Sequence, residues 1–207
     1  MRRLAVPTSV FISMIVAFLL CLVIARLPSL PGDVYVAQPI QKLAPSDPRW
    51  ARVLTSTGRW PMSLLLSLLV VAISWMHLGR CVGALGIASF GVMMSLDWIL
   101  HQLIFQPRPD SHLVRVDDPG LRGSAFPSTF AMTYFATFGY LAMVSLSRSR
   151  RRPRLLICAI CLLLLTLGGL ARIVLGAHWP SDVMVSYLIG FVVVAFLLRF
   201  LPSAVRG

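Results

Sequence analysis

Long uninterrupted apolar runs dominate this chain, with none of the period-of-two alternation that marks half-buried strands. A helix needs about 20 apolar residues to cross the hydrocarbon core of a bilayer. The runs at about 6–25, 61–78, 82–105, 127–146, 155–175 and 183–201 meet that length and predict six spanning helices. Helices are the expected form because a spanning segment must satisfy its own backbone polar groups. Between the first two runs, residues 27–60 mix apolar side chains with Lys42, Arg49, Arg52 and five prolines. That pattern predicts one or two short helices lying at the membrane surface, as an anchor or, alternatively, an access route for substrate. The fold class read from the pattern is therefore all-α. We expect a single polytopic domain over residues 1–207, six helices in a bundle with interfacial helices in its first outer loop.

Composition agrees. The 207 residues are 57% hydrophobic and 13% charged, against roughly 25% charged in soluble domains. The first apolar run outlasts the ~7–15 residues of a signal-peptide core, so it is read as an uncleaved span. The net charge of +12 lies in loops between apolar runs, which suits topology and anionic lipid rather than nucleic acid. With the N-terminus inside, the cytoplasmic segments hold Arg2, Arg3, Arg80, the cluster Arg148, Arg150, Arg151, Arg152 and Arg154, then Arg199 and Arg206. No acidic residue joins them. Asp33, Asp47, Asp110, Asp117, Asp118 and Asp182 fall outside, giving an N-in, C-in topology. Cys158 and Cys161 have no partner ligands nearby in sequence and read as buried small apolar residues. Four scattered histidines make a poor metal-ligand set, so no metal and no cofactor is expected. Most of the five tryptophans, Trp50, Trp60, Trp75, Trp98 and Trp179, sit near predicted span ends as an interfacial belt requires, with lining of an acyl-chain entrance as the alternative for Trp179.

Ionisable residues at the end of a membrane span are costly and point to function. Arg172, His178 and Asp182 stand where the fifth run gives way to the sixth. His178 and Asp182 are four apart and share a face of any helical turn there. The topology brings Arg108, Ser128 and this stretch to the same outer surface. Two guanidinium forks, a hydroxyl, an imidazole and a carboxylate suit phosphoryl transfer without a metal. Asp97 and His101, also four apart, lie on one face of the third run.

These residues resemble the type 2 phosphatidic acid phosphatase superfamily, whose motifs are K-x6-R-P, P-S-G-H and S-R-x5-H-x3-D. The third is present as Arg172-x5-His178-x3-Asp182, with Ala171 for serine. The first ends in Arg108-Pro109 but begins with His101 in place of lysine, and the second reads Pro127-Ser128-Thr129-Phe130. The likeness covers about residues 60–200. It implies a phosphohistidine on His178, with Asp182 orienting the ring and Arg108 and Arg172 clamping phosphate oxygens. Ser128 and the Thr129 amide would donate further hydrogen bonds. His101 takes the lysine's place, either as a phosphate-binding cation aided by Asp97 or as half of a structural pair with it. Phe130 replaces the histidine that protonates the leaving group, with His101 and His112 as candidate substitutes. The implied protein is a metal-independent lipid phosphatase or phosphotransferase of the bacterial cytoplasmic membrane, its site facing the periplasm. Without the usual acid, a lipid diphosphate such as undecaprenyl diphosphate is the expected substrate. A phosphate monoester (second pKa about 6) leaves far more readily than an alkoxide, whose parent pKa is near 15.7. The alternative is a family member without turnover that binds lipid phosphate as a sensor, scaffold or carrier.

Overall fold

The computed structural model describes residues 8–24, 26–117, 121–147 and 152–201. Every regular element among them is helical. In chain order they are α1 (Thr8–Ile24), α2 (Asp33–Leu43), α3 (Arg49–Thr57), α4 (Met62–Leu78) and α5 (Arg80–Leu103). After a long loop come α6 (Thr129–Tyr134), a π turn (Phe135–Gly139), α7 (Tyr140–Ser147), α8 (Arg152–Val174) and α9 (Pro180–Leu197).

The segment Thr129–Leu146 is the centre of the bundle. Of this segment 78% is buried, against 28% and 33% of apolar 18-residue stretches within Arg80–Leu103 and Pro180–Phe200. The residues that let neighbours approach it are small. A Cβ on Gly190 of α9 would lie 2.6 Å from the Phe135 ring, and one on Gly168 of α8 would lie 2.8 Å from Tyr134. The π turn has a local cause. The Thr137 hydroxyl donates to the carbonyls of Thr133 (2.8 Å) and Tyr134 (3.2 Å), competing with the helical ladder. Outside this centre, Leu64, Leu65, Leu68 and Leu69 of α4 and Leu155, Leu156, Ile160, Leu162 and Leu163 of α8 are exposed. So broad an apolar surface suits lipid tails rather than water.

Among the described residues, four segments are long and apolar enough to span a membrane: Arg80–Leu103, Thr129–Leu146, Arg152–Val174 and Pro180–Phe200. The pair α3 and α4, bent by 65°, makes up to five if counted as one span. Against the six expected, the described residues thus hold four or five candidate spans by length and composition. The difference lies in α1, of which 17 residues are described, and in the bend that separates α4 from α3. Arg2, Arg3, Asp118, Arg148, Arg150, Arg151 and Arg206, used in the topology argument, lie outside the described residues.

The connector does form two short helices. Their buried faces are spaced as a helix requires: Asp33, Ala37 and Gln41 on α2, Ala51 and Thr55 on α3. Both pack on α8. Four of the tryptophans are well exposed, whereas Trp179 is only 2% exposed, packed among Ala37, Val114, Ala131, Ile173 and Val183. It belongs to the core and not to an interfacial belt, because it opens α9 beneath α2. Cys158 and Cys161 are buried in the bundle, as expected.

Candidate active site

The end of α8 is shaped by a glycine. The N–H of Ala177 donates to the Arg172 carbonyl and that of Gly176 to the Ile173 carbonyl, both at 3.0 Å. This is the Schellman pairing, and it needs a left-handed residue at Gly176, whose φ is +62°. A Cβ there would also lie 2.0 Å from the Arg115 carbonyl oxygen. The reversal fixes Arg172 in the last turn of α8 and delivers His178 just before α9. The Asp182 carboxylate reaches back from the first turn of α9 to accept the Trp179 N–H at 2.9 Å.

Residues from α2 lock this junction. Asp33 accepts from the Ser181 N–H (2.9 Å), the Ser181 hydroxyl (2.7 Å) and the Leu30 N–H (2.8 Å). The Gln41 amide donates to the carbonyls of Arg115 (2.8 Å) and Ile173 (3.0 Å) and accepts the Arg115 N–H (2.8 Å). Arg108 ties the 104–128 loop to the same place, donating to the carbonyls of Ala177 (2.9 Å) and Ser124 (3.1 Å).

A cavity of about 310 Å³ opens between these elements. His101, Arg108, Thr129, Phe130, Arg172 and His178 line it, together with Thr55, Gly58, Arg59, Trp60 and Leu121. The sequence-predicted arginines and the candidate nucleophile thus meet. The His178 Nδ1 lies 2.7 Å from the Ala125 carbonyl oxygen. A carbonyl only accepts, so Nδ1 carries the hydrogen and Nε2 the lone pair. Burial, then the Arg172 and Arg108 guanidinium charges, hold the His178 pKa well below its usual value against the opposing pull of the Ala125 hydrogen bond. The ring is neutral near pH 7.

Several expected roles are placed differently. Asp182 Oδ2 is 3.9 Å from His178 Nδ1, beyond a hydrogen bond, and the neutral ring forms no ion pair with it. The ring is oriented by the Ala125 carbonyl; Asp182 holds the turn that carries it. Ser128 is fully buried as the N-cap of α6, accepting from the Ala131 N–H at 3.4 Å while its own N–H donates to the Ser186 hydroxyl at 2.9 Å. It does not line the cavity. The Thr129 hydroxyl donates to Asp97 Oδ2 at 3.1 Å. His101 lines the cavity and forms the expected pair with Asp97, its Nδ1 2.9 Å from the Asp97 carbonyl and 3.5 Å from Oδ1. His112 is not in this cavity. It lines a separate, wider depression with Gln38, Lys42 and Ser46, so as a substitute acid it is misplaced. Phe130 fills its position closely: the Arg172 Cζ lies 5.5 Å from its ring centroid, and the Tyr134 ring stacks on it at 4.1 Å.

Sequence reasoning missed Ala125, Asp33, Gln41, Thr55 and Arg59. Ala125 acts through a carbonyl, which no side-chain pattern reveals. Asp33 and Gln41 did carry a signal, two polar residues on the buried face of an amphipathic helix.

The whole fold is similar to a solved structure described as the first transmembrane PAP2 type phosphatidylglycerolphosphate phosphatase from Bacillus subtilis. The TM-score is 0.70 with 20% sequence identity, covering 92% of this chain and 94% of that one. At that identity the likeness is one of fold. A search of curated protein sequences gives no match. The PAP2 superfamily pattern matches residues 81–206, which spans α5 to the end of α9 and holds Arg108, Arg172, His178 and Asp182. The chain, a multi-helix membrane protein, belongs to the PAP2 superfamily.

Proposed function

We infer that this protein is a lipid phosphatase or phosphotransferase in which His178 is the nucleophile. The observation that carries the reading is the state of that ring. It is buried and neutral, its Nδ1–H is engaged by Ala125, and it lines a cavity shared with Arg108 and Arg172. The Nε2 lone pair attacks phosphorus, forming an N–P bond as the bond to the leaving oxygen breaks. The arginines balance charge on the non-bridging oxygens. Water, or the hydroxyl of a second lipid, then attacks phosphorus; the N–P bond breaks, which restores neutral His178, and the proton of the attacking O–H passes to solvent.

The leaving group decides the substrate. Phe130 has no proton to give, and removing a general acid typically costs ~10²–10⁴-fold. A leaving phosphate monoester tolerates that loss better than a leaving alkoxide does. The reading therefore favours a lipid diphosphate, such as undecaprenyl diphosphate, over a monoester of the kind cleaved by a phosphatidylglycerolphosphate phosphatase. The basic and acidic segments of the sequence support a site at the outer, periplasmic face of the bacterial cytoplasmic membrane. A second reading, lipid-phosphate binding without turnover, draws on Phe130 and on the use of Ser128 and Asp182 as caps. The test is phosphate release by the purified protein on undecaprenyl diphosphate, phosphatidylglycerol phosphate and phosphatidic acid. Fastest release from the diphosphate is expected. Faster cleavage of either monoester overturns the substrate preference, and no release from any favours the binding reading.

A further inference from the structure

The cavity has one wall that belongs to none of the residues assigned above. It is the end of α3 and the turn into α4, which contributes Thr55, Gly58, Arg59 and Trp60. Three observations mark this wall as a built surface. First, Gly58 sits directly against Phe130, where a Cβ would lie 2.2 Å from the ring, so only glycine permits the approach. The same ring carries the Arg172 guanidinium at 5.5 Å. Phe130 thus holds the turn and Arg172 on one support. Second, the turn is pinned from behind. The Thr57 hydroxyl bonds the Tyr134 hydroxyl, which also donates to the Leu54 carbonyl at 3.3 Å. Third, Thr55 is only 3% exposed, lines the cavity, and its hydroxyl makes no hydrogen bond to the described protein. A buried hydroxyl without a protein partner calls for another one, an ordered water or a ligand group.

We propose that the α3–α4 turn is part of the phosphate site, with Arg59 supplying a third guanidinium and Thr55 a hydroxyl donor to the same phosphate group that Arg108 and Arg172 face. This deepens the function inferred above and rests on it for the identity of the ligand. The chemistry fits a group with two or more charges. Arg59 stands at the exposed mouth of the cavity, where it meets an incoming anion first, and Thr55 lies at the buried end. A planar fork at the mouth and a hydroxyl inside let one tetrahedral anion be held from both directions. Trp60, beside Arg59 and 80% exposed, offers apolar surface to the lipid portion at the mouth.

Inorganic phosphate is the probe, and stabilisation of the detergent-solubilised full chain against heat is the readout. This reports binding whether or not the protein turns over. Wild type, Arg59→Ala, Arg59→Lys and Thr55→Val are compared, with Arg49→Ala as control because Arg49 is exposed and pairs with Asp47 outside the cavity. The expected result is a half-stabilising phosphate concentration raised roughly tenfold or more by Arg59→Ala, the loss of one charged hydrogen bond. Arg59→Lys recovers most of it, and Thr55→Val raises it about fivefold. Arg49→Ala leaves it unchanged. The proposal is overturned if Arg59→Ala and Thr55→Val bind phosphate as wild type does, if Arg49→Ala weakens binding as much as Arg59→Ala, or if phosphate does not stabilise wild type. Failure of the catalytic reading shows separately, as turnover that survives His178→Ala.

Discussion

Gly176→Ala tests how the site is carried. The native φ of +62° costs an alanine about 1–2 kcal/mol. The new Cβ meets backbone rather than a flexible side chain, 2.0 Å from the Arg115 oxygen and 2.9 Å from the Val116 Cα. No rotamer change relieves that, so residues 115–117 must move. They are held by the Gln41 amide on both the Arg115 carbonyl and N–H, each at 2.8 Å, and by the Asp117 N–H on the Leu175 carbonyl at 3.0 Å. Losing one or two of these adds about 1 kcal/mol apiece. The sum is about 2–4 kcal/mol, or roughly 5–15 °C in melting temperature for a chain of this size. Gly91→Ala is the control, because nothing lies within 4 Å of its added Cβ and its φ is ordinary. It is expected to be neutral or to stabilise by up to about 1 kcal/mol. Thermal melts of both variants in detergent decide the matter. A Gly176→Ala protein that melts within about 2 °C of wild type refutes the argument.

Three further outcomes are expected. Phe130→His restores a proton donor next to the cavity. It should raise monoester relative to diphosphate turnover by about 10²–10⁴-fold, with about 1–3 kcal/mol of stability lost from the stack on Tyr134; an unchanged ratio contradicts the leaving-group argument. Asp33→Ala removes the acceptor of both Ser181 donors and is expected to cost about 2–4 kcal/mol in chemical denaturation, while Asp47→Ala, at an exposed pair, costs little; equal costs contradict the locking role of α2. Burial and the two arginines lower the folded pKa of His178 below its unfolded value of about 6.5. Protonation therefore favours the unfolded chain, and the stability that neutral His178 contributes is lost as pH falls from about 6.5 toward the folded value, at up to about 1.4 kcal/mol per pH unit. Melts at pH 7 and pH 5 should show a larger loss for wild type than for His178→Gln, and equal losses refute a buried neutral ring.

The helical class and the positions of α4, α5, α8 and α9 were legible because apolar runs of spanning length leave few alternatives. So was the meeting of Arg108, Arg172 and His178, which follows from placing both loops at one end of the bundle. The roles of Asp182, Ser128 and His112 were not. Spacing put Asp182 on the face of His178, yet at the start of a helix a carboxylate has a second use, and the Trp179 N–H takes it. The same competition applies to Ser128, a good N-cap before α6. His112 shares the polar loop with Arg108, but the loop turns it toward α2. Arg59 was invisible for a different reason: among so many arginines, nothing local distinguishes one that a turn folds over a cavity. The Gly58–Phe130 contact joins residues far apart in the chain, and it emerges only from packing.

The central claim is that His178 takes a phosphoryl group. The most direct measurement is to incubate the purified protein briefly with lipid diphosphate carrying a radiolabelled terminal phosphate, quench in alkali, and count label on the protein. Acid-labile, alkali-stable label is expected on wild type and absent from His178→Ala. Label that persists in His178→Ala, or turnover by wild type with no protein-bound label at any quench time, would contradict the claim.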